Sequence, residues 1–132
     1  MLERGVSDVA SVFDAFGVGI YCADLDGRFT YVNPAGQTLL GWRAEELHGR
    51  PVHDTIHHSH PDGSPFARAA CPLQRALGLG IAGQELDDLF WRKDGSPLEV
   101  AQTVAPLHEG TERVGAIVVF IDVRQRRRDT DL

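Results

Sequence analysis

Four of the six histidines and one of the two cysteines in this 132-residue chain fall between His53 and Pro72, in HDTIHHSHPDGSPFARAACP. Imidazole and thiolate donors suit borderline metal ions such as Zn²⁺ and Fe²⁺, so His57, His58, His60 and Cys71 are candidate ligands. Their spacing fits no tight zinc template, and adjacent histidines seldom aim at one ion. Read as framework, His57 and His58 end a helix, His60 shapes the loop before Pro61, and Cys71 is a small buried residue. Both readings stay open on the residues alone. Pro61-Asp62-Gly63-Ser64 and Pro65 make most of the stretch loop, and Pro72 opens a helix. Cys71 then falls at the N-cap, where the positive end of the helix dipole favours thiolate chemistry, and a redox-sensing thiol is the related reading. Asp54 and Asp62 lie near the histidines, but no Gly-x-Ser-x-Gly, HExxH or phosphate-cradling glycine loop accompanies them, so an enzyme is not expected.

Bulk properties narrow the partners. A formal net charge of -6 disfavours a nucleic-acid surface, and the one basic run, Arg124 to Arg128, is terminal. The length suits one domain with a core that needs no staples. Cys22 lies in a strand pattern and Cys71 at a helix start, which gives no disulfide framework and predicts a reduced, cytoplasmic setting. No apolar run approaches the roughly 18 residues of a membrane span.

The elements that must position these residues follow from periodicity. Val9, Val12, Phe13 and Phe16 recur at helical spacing from Ser7 to Phe16. Gly17 to Ala23 alternates as a strand, Asp26-Gly27 turns the chain, and Arg28 to Val32 returns. Asn33 caps a short helix with Pro34 at its first position, and Ala44 to Leu47 adds another turn. Pro72 to Leu79 is helical. Leu86 to Arg92, Leu98 to Val104 and Val114 to Val123 read as three closing strands, the first two joined by Lys93-Asp94-Gly95. This predicts an α+β domain in which the material from Asn33 to Leu79 covers one face of five antiparallel strands. Gln102 interrupts the apolar series Leu98, Val100, Val104, and a buried amide without a partner costs about 1–3 kcal/mol. A ligand, a water or nearby backbone could supply that partner. Gln102 with Phe90, Val100, Val118 and Phe120 on the sheet, and Leu77 and Ile56 on the helices, are the candidate ligand-binding residues.

The ordered pieces Asp24-Leu25-Asp26-Gly27, Phe29 to Ala35, Leu40-Gly41-Trp42, Glu45-Glu46-Leu47, Gly49-Arg50, Trp91 to Gly95 and Asp122-Val123-Arg124 together resemble a PAS domain along nearly the whole chain. The resemblance implies a five-stranded antiparallel sheet of order 2-1-5-4-3 with short helices over one face. It places an N-terminal helix or cap at 1–16, the PAS domain at 17–123, and a charged linker or signalling helix at 124–132. It also implies a sensory role upstream of an output module such as a histidine kinase, a cyclic-dinucleotide enzyme or a phosphatase, with Asp122 and Arg124 at the junction. The cofactor stays unknown. Flavin-binding members carry an Asn-Cys-Arg motif that is not matched here, and haem-binding members use a histidine of the central helix, whereas these histidines precede it. The photoactive yellow proteins attach a chromophore to a cysteine near the place of Cys71, but their phenolate-holding Tyr and Glu are not recognisable. The reading is a module that binds a small organic ligand between sheet and helices and relays the effect. The alternatives are a metal or redox sensor built on the His/Cys loop, and a ligand-free dimerisation module. A homodimer is expected through the first helix and the outer sheet positions Val18, Ile20 and Cys22.

Overall fold

A computed structural model describes residues 11–125 of the chain. Five strands, β1 (Gly19–Asp24), β2 (Phe29–Val32), β3 (Gly83–Trp91), β4 (Pro97–Glu109) and β5 (Glu112–Asp122), form one antiparallel sheet in the order β2-β1-β5-β4-β3. Of helix α1, residues 11–15 are described, while Ser7 and Val9 of the expected amphipathic stripe lie outside the described residues. The sheet is covered by α2 (Pro34–Leu40), α3 (Ala44–Leu47), α4 (Val52–Ile56) and α5 (Pro72–Leu79), with a short 3-10 turn at Arg68–Ala70.

Local chemistry explains the joints. Gly27 at φ 78° takes the left-handed turn between β1 and β2, and Asp24 Oδ1 accepts the amides of Asp26 and Arg28 there. Asn33 ends β2 and caps α2: its Oδ1 accepts from Gly36 N at 2.9 Å and from Ile20 N at 2.8 Å, while Nδ2 donates to Val18 O at 2.9 Å. One buried side chain thus ties the covering layer to the start of β1. Trp42 lies between the Arg50 guanidinium, 4.7 Å from its ring centre, and the Lys93 ammonium at 5.3 Å, which holds the helices to the β3–β4 turn.

The inner face carries Tyr21, Ala23, Phe90, Leu98, Val100, Val104, Val118 and Phe120, packed against Leu40, Leu47, Ile56, Leu73 and Leu77 in one core. Tyr21, Phe90 and Phe120 meet with centroids 5.2–6.4 Å apart in edge-on or tilted contacts. The closing strands run longer than the alternation predicts. β3 begins at Gly83 rather than Leu86, and β4 and β5 extend until only Gly110 and Thr111 separate them. The cause in β3 is a bulge: Glu85 pairs with Gln102 and Asp88 with Val100, three steps against two. That extra residue puts Leu86 out of phase with Asp88 and Phe90: Leu86 is 65% exposed, while Asp88 meets Gln102 on the covered face.

Candidate functional site

His53 and His57 are one turn apart on α4 and its C-terminal cap, so their imidazoles share a face. Cys71 is the N-cap of α5, as the sequence predicts, and its thiol lies under the same face. Asp88 reaches in from the bulged strand. The result is a chain of polar groups between helices and sheet. His57 Nδ1 lies 3.3 Å from Cys71 Sγ, and His57 Nε2 lies 2.9 and 3.0 Å from the two oxygens of Asp88. Gln102 Nε2 and the Leu89 amide donate to the same carboxylate at 2.6 and 2.8 Å. Phe66 and Phe90 wall the His57 ring with centroids at 4.2 and 5.7 Å. Cys71 is 3% exposed, His57 2% and His53 4%.

The electrostatics follow from these contacts. Burial alone would depress the His57 imidazole, but the hydrogen bonds and charges of Asp88 and Cys71 outweigh it and raise its pKa to about 9. Both ring nitrogens then donate, one to sulfur and one to carboxylate. Burial would raise Asp88, yet the His57 hydrogen bond and charge, the Leu89 amide and Gln102 hold its carboxyl below the ordinary range. His53 is different. Burial lowers its pKa against the opposing bond to the Phe66 carbonyl, so it is neutral at neutral pH. Its Nε2–H donates to Phe66 O at 3.0 Å, which fixes the tautomer and leaves Nδ1 as a bare lone pair. That atom is buried and has no hydrogen-bond partner among the described residues. Tyr21 is pushed up by burial and by the charges of Cys71 and Asp88, so its phenol stays protonated beside them.

Thiol, imidazole and carboxylate in series is an arrangement that activates a sulfur nucleophile. Here the burial of Cys71 denies access to a substrate of any size and leaves protons, metal ions or small oxidants as reactants.

Of the four metal candidates, the fold brings His57 and Cys71 together and leaves His58 and His60 outside. Both are exposed: His58 stacks on Trp91 with centroids 5.9 Å apart, and His60 packs on Phe66 at 4.7 Å. Adjacent residues point apart, so His58 cannot follow His57 inward. His53 and Asp88 are the participants that the sequence reading passed over. The candidate ligand-binding residues Ile56, Leu77, Phe90, Val100, Gln102, Val118 and Phe120 are all buried between helices and sheet. Six of them pack in the core, and Gln102 finds its partner in Asp88 rather than in backbone. A surface cleft of about 730 Å³ lies elsewhere, between Asp14, Pro34, Thr38 and Leu39 on one side and Ile121 and Asp122 on the other. Asp122 Oδ1 accepts from the amides of Arg124 at 2.9 Å and Gln125 at 3.3 Å, capping the helical residues 123–125, and Arg124 Nε lies 3.3 Å from Glu99 Oε2. The basic run beyond Gln125 lies outside the described residues.

This sheet order under a layer of short helices is an architecture shared with known proteins. The sequence matches the PAS family, described as the PAS fold, over residues 7–123, and the chain belongs to that family. It is 34% identical over 117 residues to the C4-dicarboxylate transport sensor protein DctS of Rhodobacter capsulatus, covering 87% of this chain and 17% of that protein. It is 24% identical over 117 residues to the Escherichia coli K12 protein named "Probable diguanylate cyclase DgcE", covering 87% of this chain and 10% of that one. The chain therefore spans less than a fifth of either relative. The PAS domain of a Colwellia psychrerythraea protein superimposes with a TM-score of 0.71 at 21% identity, over 91% of this chain and 98% of that one, a likeness of fold. No helix among the described residues is long and apolar enough to cross a membrane.

Proposed function

We propose that this chain is the sensory and regulatory module of a larger cytoplasmic signal-transduction protein, with its input at the buried His57–Cys71–Asp88 cluster and its output through the end of β5. One observation carries the reading. Asp88 pairs across to Val100, and Val100 pairs across to Asp122, so the carboxylate that holds His57 and the carboxylate that caps residues 123–125 share one rung of the sheet. A change of charge or geometry at His57 or Cys71 moves Asp88, and only one residue of β4 stands between that movement and the cap. The names of the relatives, a transport sensor and a diguanylate cyclase, favour a kinase-type or cyclic-dinucleotide output domain. An organic ligand in the same layer would have to displace Phe90, Phe120 and Ile56 from a packed core.

Hydrogen exchange tests the relay on this chain. Asp88→Asn is expected to speed exchange severalfold at the amides of residues 121–125. Asp94→Asn, at the exposed β3–β4 turn, should leave them unchanged. Unaltered exchange at 121–125 in Asp88→Asn rejects the relay.

The reading includes a homodimer. Val12, Phe13 and Phe16 are exposed, Phe16 to 81%, and the Phe13 carbonyl accepts from Val18 N; of the outer sheet positions Val18 and Cys22 are half-buried, whereas Ile20 is buried and contributes little surface. Sedimentation should show a dimer at micromolar concentration that Phe16→Glu dissociates, and a wild-type monomer at high micromolar concentration removes it.

A further inference from the structure

We infer that His53, His57 and Cys71 form a binding site for one borderline divalent transition-metal ion of the Zn²⁺ or Fe²⁺ class, held by His53 Nδ1, His57 Nδ1 and Cys71 Sγ. The inference rests on the reading that this cluster is the sensory input, and it names the ligand. Among the described residues these three place one donor atom each within 4.8 Å of one another, all on buried side chains. With Zn–S near 2.3 Å and Zn–N near 2.0–2.1 Å, two donors on a tetrahedral ion lie roughly 3.6 Å apart. The 3.3 Å between His57 Nδ1 and Cys71 Sγ is already close to that.

Two further observations point to an ion. The first is the orphan lone pair. His53 Nδ1 is buried without a partner among the described residues, an unfavourable condition that an electrophile bound there would relieve. The second is the outer layer. A metal-ligating histidine typically gives its other ring N–H to a carbonyl or carboxylate, which fixes the tautomer and raises its basicity. Both histidines do so: His53 Nε2 to the Phe66 carbonyl, and His57 Nε2 to Asp88, which Gln102 and the Leu89 amide hold in turn. Nδ1 is then the remaining ring nitrogen of each: unpartnered among the described residues in His53, and set against Cys71 Sγ in His57. Asp88 lies on the far side of the His57 ring and is a positioning residue, not a ligand.

The donor set selects the metal. Two imidazoles and a thiolate suit Zn²⁺, Co²⁺ and Fe²⁺, whereas Mg²⁺ and Ca²⁺ require oxygen donors. Three protein ligands leave a coordination position for water or a small exogenous ligand. Binding displaces any proton on His57 Nδ1 and Cys71 Sγ, and these leave to solvent.

The test uses the full chain without a histidine tag, stripped by chelator and titrated with Co²⁺. One equivalent should bind, with a sulfur-to-cobalt charge-transfer band and tetrahedral d–d absorption, and Zn²⁺ should displace it. Cys71→Ser should remove the charge-transfer band, and His53→Gln should weaken binding at least about tenfold. Asp88→Asn should weaken it about 10–100-fold while keeping the band. His58→Ala with His60→Ala should change neither stoichiometry nor spectrum, and circular dichroism checks that each variant folds. Failure of the wild-type chain to bind Co²⁺ or Zn²⁺ overturns the inference, as does binding that survives Cys71→Ser and His53→Gln but is lost with His58 and His60. Altered exchange at 121–125 in Asp88→Asn without metal binding would leave the relay standing and the metal rejected. Stoichiometric binding with unaltered exchange would reject the relay and keep the site.

Discussion

Asp88→Ala, with divalent ions held off by chelator, is expected to cost about 3 kcal/mol of folding stability at pH 6. The figure follows from His57, whose pKa rises from 6.5 to about 9 in the folded protein, at about 1.4 kcal/mol per unit. His57 is nearly fully buried, so solvent screening takes little from it. Removing the carboxylate leaves a buried imidazolium unpaired, and its release of a proton limits the loss to that amount. The pH window follows from the two shifts. A raised folded pKa gives stability that is complete below about 6.5 and is lost as pH rises through about 9. The lowered folded pKa of Asp88 gives stability present above its ordinary 3.8 and lost as pH falls through the folded value. The gap between wild type and variant should therefore be widest between about pH 4 and 6.5. At pH 9.5 it should narrow to what the Gln102 and Leu89 hydrogen bonds contribute. Urea denaturation at pH 6 and 9.5 measures it, and an equal gap at both values would show that His57 is not charged in the folded protein.

Asn33→Ala should be costlier still, by about 3–4 kcal/mol. Its side chain satisfies Ile20 N, Gly36 N and Val18 O at once, and alanine leaves all three without that partner in a largely buried place, each at about 1–3 kcal/mol less what water recovers. The cap of α2 is lost in the same step. Asn33→Asp keeps the acceptor and gives up only the donor to Val18, so it should recover more than half of the loss. Thermal melts of both variants provide the measurement. Equal destabilisation by Ala and Asp would mean that the acceptor contacts contribute nothing.

The framework was legible because its joints use residues with one local meaning. Asp26-Gly27, Asn33-Pro34 and Lys93-Asp94-Gly95 turn or cap the chain where they stand, and the strand order came with the resemblance that they helped to carry. The chemistry was half legible. Histidine and cysteine types marked the stretch from which the proposed cluster is drawn, and Cys71 was placed at its cap, but the choice among histidines depends on helix phase. His53 and His57 are four apart, the spacing that aligns side chains on α4, whereas a stretch read as loop gives no phase. Asp88 was hidden by the bulge. Alternation puts it on the face of Phe90 two residues on, a signal that was present, but Leu86 shares that parity and points outward, and only the register resolves the conflict.

The same extra residue in β3 has a bearing on how molecules of this protein meet. β3 is an outermost strand of the sheet, and it presents Gln84, Glu85 and Asp87 to solvent along an interrupted ladder. An irregular, acidic margin is a poor template for another strand, and the opposite margin, β2, is only four residues long. Edge-to-edge polymerisation is thus discouraged on both sides of the molecule.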